Sequence, residues 1–93
     1  MITRTIKIPR NATINDLRSI TLAEWQGMPT IHSGHDSNMK FESDRYRVWT
    51  SRMTLADYNG DAEAFANDRL QIEELRNGRW IMLDRYGNPR LTP

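Results

Sequence analysis

The run Leu70-Gln71-Ile72-Glu73-Glu74-Leu75-Arg76-Asn77-Gly78-Arg79-Trp80-Ile81-Met82-Leu83 carries the strongest structural signal in this 93-residue chain. Asn-Gly between two strand-like segments selects a two-residue type I′ hairpin, because both turn positions need positive φ. Registering on that turn sets Arg76 opposite Arg79, Leu75 opposite Trp80, Glu74 opposite Ile81, Glu73 opposite Met82 and Ile72 opposite Leu83. Alternation then puts Leu70, Ile72, Ile81 and Leu83 on one face, the expected core side, and Leu75, Trp80 and Met82 on the other. The facing arginines at the turn repel one another slightly.

Outward from this hairpin the signals weaken. Asp84 to Pro93 reads as a polar tail with a turn at Tyr86-Gly87-Asn88-Pro89. On the other side, Asp57 to Asn67 is turn-rich and then alanine-rich, a connection with room for one helical turn. Phe41 to Leu55 is the longest strand candidate. Tyr46 and Val48 share one of its faces and Trp49, Met53 and Leu55 the other, which implies that both faces are covered or that a bulge bends the strand. Met28 to Met39 reads as a loop, with one short extended piece around Thr30-Ile31. Before it, Thr13 with Asp16 and Thr21 with Glu24 form two capping boxes. Ile14, Leu17 and Ile20 make an apolar stripe, and Gly27 and Pro29 supply a stop. One helix over about 14–26 is expected from this pattern, the alternative being a break near Ser19 and a restart at Thr21. Thr3 to Ile8 alternates as a short strand closed by Pro9. The sum is β-α-β-β-β: an α+β, two-layer domain spanning residues 1–93, with an antiparallel sheet of about four strands and one helix packed on a face.

Composition narrows function more by exclusion. Cysteine is absent, which excludes a disulfide scaffold and thiolate chemistry and fits a reducing cytoplasm. The N-terminus lacks the apolar run of a signal peptide, and no stretch approaches the ~20 apolar residues of a membrane span. Eleven of the thirteen cationic side chains are arginine, yet twelve acids leave a net charge of only +1. Arginine grips carboxylate or phosphate through two bonds and stacks on flat rings, so its excess points to a recognition surface. Near-neutral charge argues against a tight stand-alone polyanion binder, and equally against an acidic DNA mimic.

Catalytic constellations are poor. His32, Ser33, His35 and Asp36 crowd one loop, whereas a nucleophilic triad draws its parts from separate elements. The same loop offers three metal ligands without a fourth, so a solvated loop is the plainer reading and no metal or cofactor is expected. Asp57-Asn59-Asp61 imitates the start of a calcium loop, but Gly60 comes one place early and no glutamate follows at the twelfth position. Glu73, Glu74 and Asp84 are too exposed by pattern to form an acid/base pair. The chain is not expected to be an enzyme.

Binding has more support. Arg45, Arg47 and Arg52 interleave with Tyr46, Val48 and Trp49, and Arg76 and Arg79 flank the hairpin tip beside Trp80. Basic and aromatic residues alternating on a strand suit phosphate contact and base stacking. Arginine and large aromatics also supply the hot spots of protein interfaces. The plainer alternative is that Trp49 and Trp80 are packing residues and that Arg45 pairs with Asp44 or Glu42.

Several segments add a resemblance: Thr-Ile-Lys-Ile-Pro leading into a capped helix, Ala-Glu-Trp-Gln-Gly-Met-Pro, the loop through Gly34-His35-Asp36, and Tyr46-Arg47-Val48-Trp49-Thr50-Ser51-Arg52-Met53. In length, element order and character the chain resembles the small phage-encoded anti-CRISPR proteins, most nearly an inhibitor of the type I-F surveillance complex. The resemblance implies a non-enzymatic inhibitor in the host bacterial cytoplasm. It would dock on subunits and guide RNA of the crRNA-guided complex and block target-DNA binding or hybridisation, without a small-molecule substrate or a membrane. On that reading Arg45, Arg47, Trp49, Arg52, Arg76, Arg79 and Trp80 are the partner- and RNA-binding candidates. The alternative is a small stand-alone module for single-stranded nucleic acid.

Overall fold

The computed structural model describes residues 7–84 and 86–90. The strand expected at Thr3 to Ile8 lies mostly outside them; Lys7 and Ile8 are in no strand, and Ile8 packs against the core. Two short helices come first, α1 (Ile14–Arg18) and α2 (Leu22–Gln26). One continuous helix does not form. Both capping boxes are complete: Thr13 accepts from the Asp16 amide while the Asp16 carboxylate takes the Thr13 amide, and Thr21 and Glu24 do the same. The second cap requires Thr21 in extended backbone, at φ −71° and ψ 159°, and that conformation ends the helical run before it.

The sheet follows as β1 (His32–Ser33), β2 (Ser37–Glu42), β3 (Tyr46–Ser51), β4 (Leu70–Arg76) and β5 (Arg79–Leu83). All neighbours are antiparallel, in the order β1-β2-β3-β4-β5. The α+β two-layer class holds, with five strands where about four were expected. The extra strands come from two places. The supposed loop holds β1 and the start of β2, one residue beyond the extended piece expected at Thr30-Ile31, with the Ile31 amide already donating to Met39 O at 2.8 Å. The supposed long strand turns at Ser43-Asp44-Arg45, where the buried Ser43 hydroxyl accepts from the amides of Arg45 and Tyr46. Phe41 therefore belongs to β2, and Met53 and Leu55 lie beyond β3.

Between β3 and β4 the chain forms a 3₁₀ turn at Leu55–Tyr58 and a helix, α3 (Ala62–Asp68). The aspartates that imitate a calcium loop are caps. Asp57 completes a box with Thr54, and Asp61 accepts from the Ala64 amide. The bond from the Thr54 amide, ahead of that from its hydroxyl, lowers the Asp57 carboxyl below its ordinary value.

The hairpin register is the one the turn specifies: Ile72–Leu83, Glu73–Met82, Glu74–Ile81, Leu75–Trp80 and Arg76–Arg79. Asn77 and Gly78 both have positive φ, 50° and 76°. Helices α1 and α2 cover one sheet face, burying Leu17 and Trp25 against Phe41, Tyr46, Val48, Ile72 and Leu83. The register slips by one residue between Met39 and Phe41, so Lys40 is extra. Its ammonium then reaches the end of α2, bonding Met28 O at 2.8 Å, Gln26 O at 3.4 Å and Thr30 Oγ1 at 3.1 Å. A cation there satisfies carbonyls left open by the helix terminus. No helix among the described residues is long and apolar enough to cross a membrane.

Candidate binding surface

The other sheet face points away from the core that α1 and α2 cover, and the 3₁₀ turn borders it at one end through Tyr58. Cross-strand register lays out its rows: His32, Met39, Trp49 and Gln71; then Glu42, Arg47, Glu73 and Met82; then Leu75 and Trp80. Arg47 organises the middle of it. Its Nε donates to Glu42 Oε2 at 2.8 Å, and its guanidinium lies 4.0 Å from the Trp80 ring centroid. The planar cation on an indole face is a favourable electrostatic contact. Trp49 is fixed by neighbours too. Its indole N–H donates to Glu73 Oε1 at 2.5 Å, and His32 meets its ring edge-on at 6.3 Å. A Cβ added at Gly34 would lie 3.2 Å from Trp49 Cζ3, so the β1–β2 turn rests directly on that ring.

The sequence-derived candidates thus divide. Arg47, Trp49 and Trp80 come together on the open face. Arg45 and Arg76 converge instead at one end of the sheet, on Glu74 of β4. The Arg45 Nε reaches Glu74 Oε2 at 3.2 Å, Arg76 Nε binds Oε1, and the Tyr46 hydroxyl bonds the same carboxylate. Glu74 is buried, contrary to the exposure its pattern suggests; it sits on the core face opposite Ile81, where two arginines balance its charge. Burial pushes its carboxyl up, but the bonds from Arg76 and Tyr46 and the charges of Arg76 and Arg45 outweigh that and hold it below the ordinary value. Tyr46 is raised, first by burial and then by the Glu74 carboxylate. Neither Asp44 nor Glu42 is the partner of Arg45. Arg79, across the turn, is exposed and has no hydrogen bond or ion pair among the described residues.

Arg52 lies at the opposite end of the sheet. Its guanidinium donates to Asn38 Oδ1 at 2.8 Å, to Gly34 O at 2.5 Å and to His35 O, clamping the β1–β2 turn. His32 is thereby held on the open face while His35 projects to solvent beside Asp36, at 3.6 Å. No group of three His, Cys, Asp or Glu residues among those described is placed to hold a metal ion.

Pattern reading missed Glu73, Asp36 and Tyr58 as members of this face. They line, with Trp49 and Met82, a concavity of about 450 Å³ at the end of the sheet nearest the 3₁₀ turn. Glu73 was legible in principle: alternation sets it beside Leu75 and opposite Met82. Tyr58 was not, because its place depends on how the β3–β4 connection folds back, its hydroxyl anchored to Asp68 at 2.9 Å. No family model, curated protein or solved structure matches this chain.

Proposed function

We propose that this protein acts by binding rather than catalysis, as an inhibitor that docks its open sheet face on a type I crRNA-guided surveillance complex in the bacterial cytoplasm and keeps target DNA from it. The observation that carries the docking reading is the sheet face away from α1 and α2, which bears Trp49, Trp80, Arg47, Leu75 and Met82 together. Aromatic side chains and an arginine at the centre of a patch are the residue types that dominate interface energies. The choice of complex rests on the resemblance of the sequence to type I-F inhibitors.

The arrangement favours a protein surface over bare phosphate as the main contact. Arg45, Arg76 and Arg47 already hold carboxylates, and Arg52 holds a turn. Of the arginines singled out in sequence, Arg79 is the one without such a partner among the described residues, at the hairpin tip where it can reach guide RNA at the edge of the docked face.

Size-exclusion co-elution with purified type I-F complex at micromolar concentration tests this. The wild-type chain is expected to co-elute. Trp80→Ala combined with Arg47→Ala is expected to abolish co-elution, while Asn15→Ala, at an exposed position of α1, retains it. Absence of any association by the wild-type chain overturns the choice of complex, and association untouched by the double change overturns the docking face.

A further inference from the structure

The concavity within the open face has a charge of its own. Glu73 uses Oε1 for the Trp49 indole, and Oε2 has no hydrogen-bond or ion-pair partner among the described residues. Arg47 stands directly opposite Glu73 in the ladder, but its guanidinium is turned to Glu42 and Trp80. Asp36, on the facing turn, has a carboxylate that is 61% exposed, near only the exposed His35 ring at 3.6 Å. Arg52, the nearest cation in sequence, directs its donors to Gly34, His35 and Asn38 and forms no ion pair with either acid. Trp49, Met82 and Tyr58 supply the flat and polarisable walls. Asp36 and Tyr58 both line the concavity, with the Tyr58 hydroxyl held by Asp68 at 2.9 Å.

An aromatic-walled recess with two carboxylates, and with no lysine or arginine in its lining and only the exposed His35 ring beside Asp36, is complementary to one kind of group, a planar cation that can stack and donate at once. We infer that this recess takes an arginine side chain of the protein partner, its guanidinium stacked on Trp49 and bonded to Glu73 and Asp36. The surface that the protein covers is therefore basic at that point, as a surface that binds nucleic-acid phosphate must be. On this inference the chain competes with phosphate for a partner's arginine while Arg45, Arg47, Arg52 and Arg76 remain engaged internally. The inference rests on the docking of the open face proposed above.

The test uses the whole chain and small probes, so it does not depend on the identity of the complex. ¹⁵N-labelled protein is titrated with N-acetyl-arginine amide, N-acetyl-lysine amide and N-acetyl-citrulline amide, the last a neutral isostere of the first. The arginine probe is expected to shift the Trp49 indole N–H and the Ser37 amide in a saturable way, with citrulline leaving both in place. Glu73→Gln keeps an acceptor for the Trp49 indole, and Asp36→Asn alters only an exposed turn. Each is expected to weaken the arginine response, and the pair by roughly tenfold or more, as for loss of charge-assisted bonds. Equal responses to arginine and citrulline, or none to either, overturn the recess as a cation site whatever the co-elution result. A stronger response to lysine overturns the assignment to guanidinium. If the probes bind as expected and the complex does not co-elute, the recess stands and the proposed complex falls.

Discussion

Glu74 is the side chain whose ionisation the fold depends on most directly. It is buried on the helix-covered face with a side-chain exposure of 7%, yet it stays ionised because Arg45, Arg76 and Tyr46 all converge on it. Its native pKa is lowered from the ordinary 4.5. A lowered carboxylate contributes stability that is complete above the unfolded-state value and is lost as the pH falls through that value towards the native one. The melting temperature is therefore expected to drop on acidification below about pH 4. Glu74→Gln is expected to cost about 1–2 kcal/mol at neutral pH, since two arginines lose their counter-ion, and to flatten this acid limb. Urea denaturation at neutral and acid pH checks both; parallel pH profiles for the two proteins would rule out Glu74 as the group responsible. Gly34 is constrained by space rather than by φ. A methyl there meets Trp49 Cζ3 and Ser37 O, each at 3.2 Å. Gly34→Ala is expected to destabilise by roughly 1 kcal/mol, as overpacking does, and to alter tryptophan fluorescence as the indole shifts. Unchanged stability and emission would show that the turn can yield without moving the ring.

At the scale of elements, local chemistry decides where strands and helices stop. Gly78 has φ +76° and no heavy atom within 4 Å of an added Cβ, so Gly78→Ala meets no steric neighbour, only left-handed backbone. The expected cost is about 1–2 kcal/mol, and it measures the turn alone. A loss well under 0.5 kcal/mol in denaturant unfolding would mean that the hairpin re-forms in another turn type. The same turn is why β4 and β5 were legible to the residue: two positive-φ positions admit one register. The helices were legible only as alternatives. The apolar stripe of Ile14, Leu17 and Ile20 favours continuity, while Thr21 favours a restart, and the structure shows that the complete cap wins. Thr13→Ala and Thr21→Ala are each expected to cost about 1 kcal/mol by loss of a cap. Their effects should add, because two separate helices are capped; helices that reported on one another would show a coupling term in the double variant. The β2–β3 turn was hidden for a different reason. Ser43-Asp44-Arg45 contains no glycine or proline, and its stability comes from the Ser43 hydroxyl turned inward beneath the Arg45 and Tyr46 amides. One turn marked only by serine and aspartate, without glycine or proline, was enough to make two strands look like one.

For the whole molecule, the chain's charge is nearly balanced and much of the balance is local. Arg10 lies near Asp44, Arg47 bonds Glu42, Arg45 and Arg76 share Glu74, and Arg90 bonds Asp68. Alternation in the sequence separated Trp49 from Tyr46 and Val48 and set Trp80 on the non-core side of the hairpin, because strand geometry is local; that these are one face follows only from β3 lying beside β4. It could not foresee that Arg45 and Arg76 meet on one buried acid, since that contact depends on β3 lying beside β4, across a connection with little periodicity of its own. This internal pairing bears on the alternative of a stand-alone nucleic-acid binder. Affinity for a phosphate chain grows with the number of cations that release counter-ions, and a cation already bonded to a carboxylate contributes little. Among the arginines flanking the two tryptophans of the open face, Arg79 alone is exposed without such a partner among the described residues. A free single-stranded RNA or DNA oligonucleotide is therefore expected to show no mobility shift at about 10 μM protein in physiological salt, and any shift at low salt is expected to have a log–log slope near one phosphate. Arg79→Ala should remove that residual binding, whereas Arg45→Ala with Arg47→Ala should lower stability before it lowers affinity. A steep salt slope, of four phosphates or more, would mean that the internal ion pairs open to phosphate and that the arginines are held in reserve rather than used in the fold.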